Sequence, residues 1–170
     1  MKNRLNALRY GAYSIELLLL FTAQATPGLV PEIFGAKPVL LLSAALTISA
    51  FESSLPAMIF GLVCGILCDF SSTGALGFFS LLITAACYAQ ASLLKNFMVR
   101  NFLNSIFICF CACVVIIGLY FVFFYIFPGF GGVGYYFVNH YLSRIIYTFV
   151  CCIPLYFLNM LLFKQIRAKQ

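Results

Sequence analysis

Residues 102–127 form an apolar run without a charged residue. The run is longer than the roughly 20 residues with which an α-helix crosses the hydrocarbon core of a bilayer. Apolar sequence is not confined to this run, because 64% of the chain is hydrophobic and 8% is charged. Only helices that satisfy their own backbone hydrogen bonds, or closed barrels, span lipid. We therefore predict an all-α, polytopic integral membrane protein.

Proline, glycine and polar clusters divide the chain into six apolar runs, 5–25, 39–51, 57–70, 75–94, 102–127 and 135–163. They predict about six transmembrane helices in a single domain, residues 1–170. The second and third runs are short for a membrane-spanning helix. Residues 38–70 therefore form either two short helices in a thinned or protein-surrounded region, or a hairpin that enters and leaves by one face. Both alternatives leave the later helices in the same orientation.

The basic residues predict the orientation of these helices. With six spans and the N-terminus inside, one basic residue between the runs, Lys37, lies outside, and the cytoplasmic side collects Lys2, Arg4, Arg9, Lys95, Arg100, Lys164, Arg167 and Lys169. Since Lys and Arg are enriched in cytoplasmic loops, both termini are predicted to be cytoplasmic. The net charge of +6 then indicates topology and contact with membrane lipid, not nucleic-acid binding. The first run continues beyond the h-region of a signal peptide, so we expect it to be retained.

The side chains that carry metal or catalytic chemistry are few. All eight cysteines lie in apolar runs, where Cys packs as a small hydrophobe. Cys64 and Cys68 lie one helical turn apart, but no His or second Cys pair accompanies them at ligand spacing. The acids include no pair at i, i+3 or i+4, and there is no H-E-x-x-H motif. We predict no metal site, no cofactor and no enzymatic activity.

Residues 61–77 hold the only aspartate of the chain and four of its twelve glycines. Ala57, Gly61, Gly65 and Asp69 follow one another at i, i+4 spacing and share one face of a helix. A small-residue face lets a second helix approach closely, which is a main source of helix association in lipid. The second helix is either a neighbour in the same bundle or the transmembrane helix of a partner.

The next run begins with a second set of small and hydroxyl residues, Gly77, Ser80 and Thr84, which extends the candidate partner-packing surface. Between the two sets, Asp69, Ser71 and Ser72 are predicted to form a polar turn that caps and holds the two helices. A further small pair, Ala7 and Gly11, lies at the cytoplasmic end of the first run.

Glu16 lies near the middle of the first run, where a charge costs at least about 2.5–3.5 kcal/mol unless it is paired, hydrated or protonated. We expect it to face the bundle. One candidate partner is Arg144, which lies about 13 Å along the last helix if that helix begins at Tyr135. The alternative is that His140 and Arg144 extend to the membrane interface among the neighbouring tyrosines.

Three motifs in order carry a resemblance to a known family: Lys37-Pro-Val-Leu-Leu-Leu, then Phe60-Gly-Leu-Val-Cys-Gly-Ile-Leu-Cys-Asp69, then Gly74-Ala-Leu-Gly77. This pattern resembles the MreD family of bacterial rod shape-determining membrane proteins, over residues 38–100. Chain length, number of runs and basic ends agree with that family.

The resemblance implies a non-enzymatic scaffold subunit of the cell-elongation (peptidoglycan synthesis) machinery in the bacterial cytoplasmic membrane. Its direct partner would be MreC, a single-span coiled-coil protein, and its indirect partners MreB, RodA and a class B penicillin-binding protein. The family is similar in fold to the S component of energy-coupling-factor transporters. The alternative function is therefore a substrate-binding membrane subunit of a vitamin-type transporter, with a cavity near Asp69, Glu16 and Glu52.

Overall fold

The computed structural model describes residues 2–26, 28–31, 36–71, 76–96, 101–129 and 133–167, and among these it gives residues 2–6, 133, 139 and 165–167 as backbone only. The regular elements are helices, namely α1 (Lys2–Ala25), α2 (Leu40–Phe51), α3 (Ser54–Ser71), α4 (Phe78–Asn96), α5 (Phe102–Phe121), α6 (Val133–Tyr136) and α7 (Ser143–Arg167). A π-helical turn, Val122–Ile126, continues α5, and a second, Phe137–Leu142, joins α6 to α7. The all-α prediction is confirmed for this part of the chain.

Within the described residues, 4 helical segments are long and apolar enough to cross a membrane, Ser54–Ser71, Phe78–Asn96, Phe102–Ile126 and Gly134–Lys164. They identify a membrane-embedded protein. The predicted total of six spans remains a prediction. The third run is not short, because α3 begins at Ser54, ahead of Pro56, and has 18 residues. Proline is tolerated there since the N–H groups of the first helical turn have no partner within the helix.

Helix α2 occupies the centre of the bundle. It has 12 residues, and residues 40–50 are all buried. It contacts α1, α3, α4, α5 and α7. A helix that is apolar on every side is stable when other protein segments surround it. Its short length is compatible with a membrane protein because these neighbours separate it from lipid.

Side-chain contacts define two ends of the bundle. At the Arg9 end, the guanidinium of Arg9 pairs with Glu52, which follows α2. At the Gln24 end, the Gln24 amide accepts the Leu41 N–H of α2 at 3.2 Å and donates to the Ser71 hydroxyl of α3 at 3.0 Å. Successive helices of this group therefore run in opposite directions.

The later helices continue the alternation. Near the C-terminal end of α4, Leu94 packs with Ala50 and Tyr156 at the Arg9 end. At the other end of the bundle, Thr148 of α7 accepts the Val39 N–H from the start of α2 at 3.1 Å. The C-terminal ends of α4 and α7, which carry Lys95 and Lys164, therefore lie on the same side of the bundle as Arg9. The charge pattern predicts this arrangement.

Candidate functional site

Asp69 joins the end of α3 to the start of α4. Its carboxylate accepts the backbone N–H groups of Gly77 at 3.0 Å, Phe79 at 3.0 Å and Ser80 at 3.1 Å. N–H groups in the first turn of a helix lack acceptors within the helix, and the positive end of the helix dipole favours an anion. Asp69 therefore caps α4 from outside that helix. Gly77 has φ +98°, which places its N–H in this cap through a conformation that favours glycine.

The remaining residues of the predicted turn have separate positions. The Ser71 hydroxyl donates to the Cys68 carbonyl at 3.0 Å and accepts the Gln24 amide, so it connects α3 with α1. Ser72 lies outside the described residues. The polar turn thus links three helices at the Gln24 end.

The glycines of α3 face α4. A Cβ on Gly65 would lie 2.3 Å from the Ser80 Cα, and a Cβ on Gly61 would lie 2.9 Å from the Cys87 Cβ. Ala57 is 1% exposed on the same face. The expectation that this face docks a partner's helix is corrected, because α4 of the same chain already fills it. The alternative, a neighbour within the bundle, describes the structure.

The hydroxyl residues of α4 bond within their own helix. Ser80 donates to the Gly77 carbonyl at 3.0 Å, and Thr84 donates to the Ser80 carbonyl. Ser80 is also the residue that Gly65 approaches most closely. Ser80 belongs to the α3–α4 contact, so the same correction applies to it.

Glu16 is 8% exposed and is bound by Asn159 of α7. The Asn159 amide donates to Glu16 Oε1 at 3.2 Å and to Thr47 Oγ1 of α2 at 3.1 Å. The three side chains tie α1, α2 and α7 together. The second carboxylate oxygen of Glu16 has no hydrogen-bond partner among the residues that the structure describes.

The predicted pair between Glu16 and Arg144 is therefore wrong. Asn159 lies at the level of Glu16, and Arg144 is fifteen residues earlier in α7, which is about 22 Å along a helix. The Cζ atom of Arg144 lies 5.7 Å from the ring centroid of Tyr120 instead. The prediction placed the depth of Arg144 too close to that of Glu16.

Sequence reasoning missed the ion pair between Arg9 and Glu52. Arg9 Nε lies 2.8 Å from Glu52 Oε1, and Arg9 Nη2 donates to Oε2 at 3.2 Å. The two residues are 43 positions apart, so no local spacing connects them. One signal was available, since two isolated charges near the ends of adjacent apolar runs invite pairing.

One face of α1 carries an open groove. Its wider part, of about 600 Å³, is lined by Ala7, Leu8, Gly11, Ala12 and Ile15. It continues between α1 and α7 as a depression of about 390 Å³ that is lined by Leu side chains and Glu16. A Cβ on Gly11 would meet no atom within 4 Å in the part of the chain that the structure describes. We call these two parts the α1 groove.

The Gln24 end carries a second concave site of about 440 Å³, which we call the Arg144 cavity. Its polar lining residues are Lys37, Tyr125, Tyr136, His140, Tyr141 and Arg144. The sequence marked His140 and Arg144 as interfacial residues among tyrosines. It did not indicate that Lys37, distant in the chain, lies beside them.

These features describe a helical membrane protein with a buried polar network, an open apolar groove and a cationic cavity. Among the described residues, no group of three or more His, Cys, Asp or Glu is placed to hold a metal ion. No family model, curated protein or solved structure matches the chain. Its function must therefore be argued from these sites.

Proposed function

We propose that the chain is a non-enzymatic scaffold subunit of the bacterial cell-elongation machinery, embedded in the cytoplasmic membrane with both termini inside. Its direct partner is an MreC-type protein with one transmembrane span. MreB, RodA and a class B penicillin-binding protein join through that partner. The observation that carries the proposal is the α1 groove, which is apolar, open and centred on an exposed glycine.

The groove suits the transmembrane helix of such a partner. Ala7 and Gly11 are both exposed and lie four residues apart, so they share one face of α1. Leu8 is 66% and Ile15 is 61% exposed beside them. Small residues flanked by larger apolar ones allow close helix packing in lipid, where the hydrophobic effect does not drive association.

The open space at Gly11 distinguishes this surface from the small-residue face of α3. Gly65 already contacts the α4 backbone, whereas a Cβ on Gly11 would meet no atom of the described residues within 4 Å. Glu16 extends the groove toward α7.

Co-purification of the full-length chain with its MreC-type partner tests the proposal. Gly11→Leu fills the groove, and we expect recovery of the partner to fall at least about tenfold, a change of about 1.4 kcal/mol in binding. Ala85→Leu is the matched control because Ala85 is also small and exposed, but lies on α4. Both variants should insert and elute as monodisperse protein. Equal recovery with both variants would exclude the α1 groove as the docking surface.

The second candidate function is a substrate-binding membrane subunit of a vitamin-type transporter, and the Arg144 cavity is the observation that favours it. The sequence analysis expected one cavity near Asp69, Glu16 and Glu52, and this expectation is wrong. Asp69 caps α4 at the Gln24 end, whereas Glu52 pairs with Arg9 at the opposite end. A melting-temperature screen with water-soluble vitamins tests this function, since a ligand that binds only the native state raises that temperature.

A further inference from the structure

The contact between Glu16 and Asn159 leaves two buried oxygens unused. The Asn159 amide donates to Glu16 Oε1 at 3.2 Å, but Glu16 Oε2 and Asn159 Oδ1 are both buried without a hydrogen-bond partner among the described residues. Buried polar atoms are nearly always hydrogen-bonded, so each exception needs an explanation. Here the two exceptions belong to the two groups of one contact, which points to a single missing hydrogen.

The orientation of the Asn159 amide is fixed by Thr47. The Thr47 hydroxyl donates its one hydrogen to the backbone carbonyls of Ser43 and Ala44 in its own helix, both at 2.9 Å. It can therefore only accept from Asn159, whose amide nitrogen lies 3.1 Å from Thr47 Oγ1. Exchanging the nitrogen and the oxygen of the amide would break this bond. Asn159 Oδ1 consequently remains an acceptor that needs a donor.

The described residues give an ionised Glu16 no cationic partner. Arg9 pairs with Glu52 at one end of the bundle, and Arg144 lies about 22 Å along α7 from Asn159. A carboxylate inside a membrane protein is stable only when it is paired or hydrated. The Asn159 amide is a neutral donor, so it leaves the negative charge of an ionised Glu16 in place.

The titratable neighbours of Glu16 do not supply a positive charge either. The phenol of Tyr13 on α1 and the thiol of Cys64 on α3 lie within electrostatic reach of its carboxyl group. Both groups are ordinarily neutral at pH 7. The contacts from α7 and α2 are made by Asn159 and Thr47, which do not titrate. A proton on Glu16 itself is the remaining way to remove the charge.

The depression beside Glu16 is apolar. Glu16 is 8% exposed, and the other residues that line the depression are alanine, isoleucine and leucine residues of α1 and α7. In a bilayer such a depression faces lipid tails or another helix, and neither hydrates a carboxylate. An isolated carboxylate in apolar surroundings takes up a proton instead of keeping its charge.

We propose that Glu16 is a proton-binding site in the core of the bundle, and that its carboxylic acid donates the proton on Oε2 to Asn159 Oδ1. A neutral carboxylic acid has one O–H donor and one carbonyl acceptor, and a primary amide has the complementary N–H and C=O groups. The existing N–H···O bond then gains an O–H···O bond, and both buried oxygens are satisfied. This doubly bonded pair closes α1 onto α7. The inference does not rest on the scaffold function, because each contact lies within the chain.

Infrared spectra of the full-length chain in nanodiscs at pH 7 test the proposal. The difference between samples with ¹³C-labelled and unlabelled glutamate removes the bands of lipid and of Asp69. Since glutamate is ordinarily ionised at this pH, we expect carboxylate bands and one additional labelled band of a neutral carboxylic acid. Glu16→Gln should lose the acid band, and it should fold because glutamine reproduces both bonds with its own C=O and N–H groups. Glu52→Gln is the matched control and should keep the band, because Glu52 is paired with Arg9.

A variant of Asn159 tests where the proton is donated. Asn159→Leu removes both hydrogen bonds of the acid, so the acid band should move to higher wavenumber. If this variant does not fold, the spectra of wild type and Glu16→Gln decide the proposal by themselves. The proposal is overturned if labelled wild type shows carboxylate bands alone, if Glu16→Gln keeps the acid band, or if folded Asn159→Leu leaves the band unmoved.

Discussion

Gly65 of α3 and Gly11 of α1 lie in the same sequence pattern, two small residues four positions apart, but in opposite surroundings. A methyl group on Gly65 would lie 2.3 Å from the Ser80 Cα, whereas one on Gly11 would meet none of the described atoms within 4 Å. The Asp69 cap joins α3 to α4 at the end of the pair. Arg9 and Glu16 bind α1 to its neighbours through polar contacts, and one face of α1 stays exposed. Small-residue spacing thus shows where a helix can approach closely, but not which helix does so.

The largest effect is expected where the α3–α4 pair is capped. Asp69→Ala removes the acceptor of three backbone N–H groups, and each buried group left unsatisfied costs about 1–3 kcal/mol. We expect a loss of about 4 kcal/mol in the free energy of unfolding, because water replaces part of the lost bonding. Unfolding by dodecyl sulfate in mixed micelles would measure it. Asp69→Asn keeps one acceptor oxygen and should fall between wild type and Asp69→Ala, so two equally unstable variants would contradict the cap.

The next effect concerns the attachment of α1 to α2. Arg9→Gln leaves the carboxylate of Glu52, which is 3% exposed, without its cation. Breaking a buried ion pair typically costs about 3–5 kcal/mol, and we expect the lower value because Arg9 is 15% exposed. The charge exchange Arg9→Glu with Glu52→Arg should recover most of the melting temperature. If the double variant is no more stable than either single exchange, the pair does not hold α1.

The two glycines themselves give the direct comparison. Gly65→Ala forces the α3 and α4 backbones apart and should reduce the free energy of unfolding by about 2 kcal/mol, as overpacking does. Gly11→Ala has room and should be neutral or stabilising by up to about 1 kcal/mol, since alanine is the better helix former. The same mixed-micelle unfolding measures both variants. Equal effects of the two substitutions would remove the contrast between the two helices.

The smallest effect is expected at Glu16. Glu16→Gln retains an oxygen for the Asn159 amide, so its free energy of unfolding should change by less than about 0.5 kcal/mol. Glu16→Leu removes that acceptor and should cost about 1 kcal/mol, within the range of interhelical hydrogen bonds in membranes. Asn159→Ala abolishes the same bond and should cancel the difference between Gln and Leu at position 16. A difference that persists in the Asn159→Ala background would show that Glu16 acts through another contact.

Part of this arrangement could be predicted from the sequence because it depends on local order. The α3 face repeats every four residues within one helix, and the Asp69 turn joins residues separated by eight to eleven positions. Their geometry follows from helical periodicity and from the need of a helix N-terminus for acceptors. The membrane class follows from the length of the apolar runs.

Other features could not be predicted because they join distant positions. Asn159 and Glu16 are 143 positions apart, and Lys37, which lines the Arg144 cavity, lies before α2, far from Arg144 in the chain. The predicted pair between Glu16 and Arg144 failed because the depth of Arg144 in the bundle was misjudged. A π-helical turn precedes α7, and Asn159, the partner of Glu16, lies about four helical turns beyond Arg144. The sequence left open whether a thinned membrane or protein surrounds α2, because a short apolar run reads the same in both surroundings.

The sequence by itself determined that the chain is helical and enters a membrane, how its charged ends are distributed, and where α3 can be approached closely. These properties depend on hydrophobicity and on the 3.6-residue period, which every segment carries alone. The tertiary structure decided that α4 fills the glycine face of α3, that Asn159 and not Arg144 meets Glu16, and that α1 keeps an open groove. Those outcomes depend on which helices become neighbours and at what depth, because packing and polar pairing across helices are properties of the whole bundle.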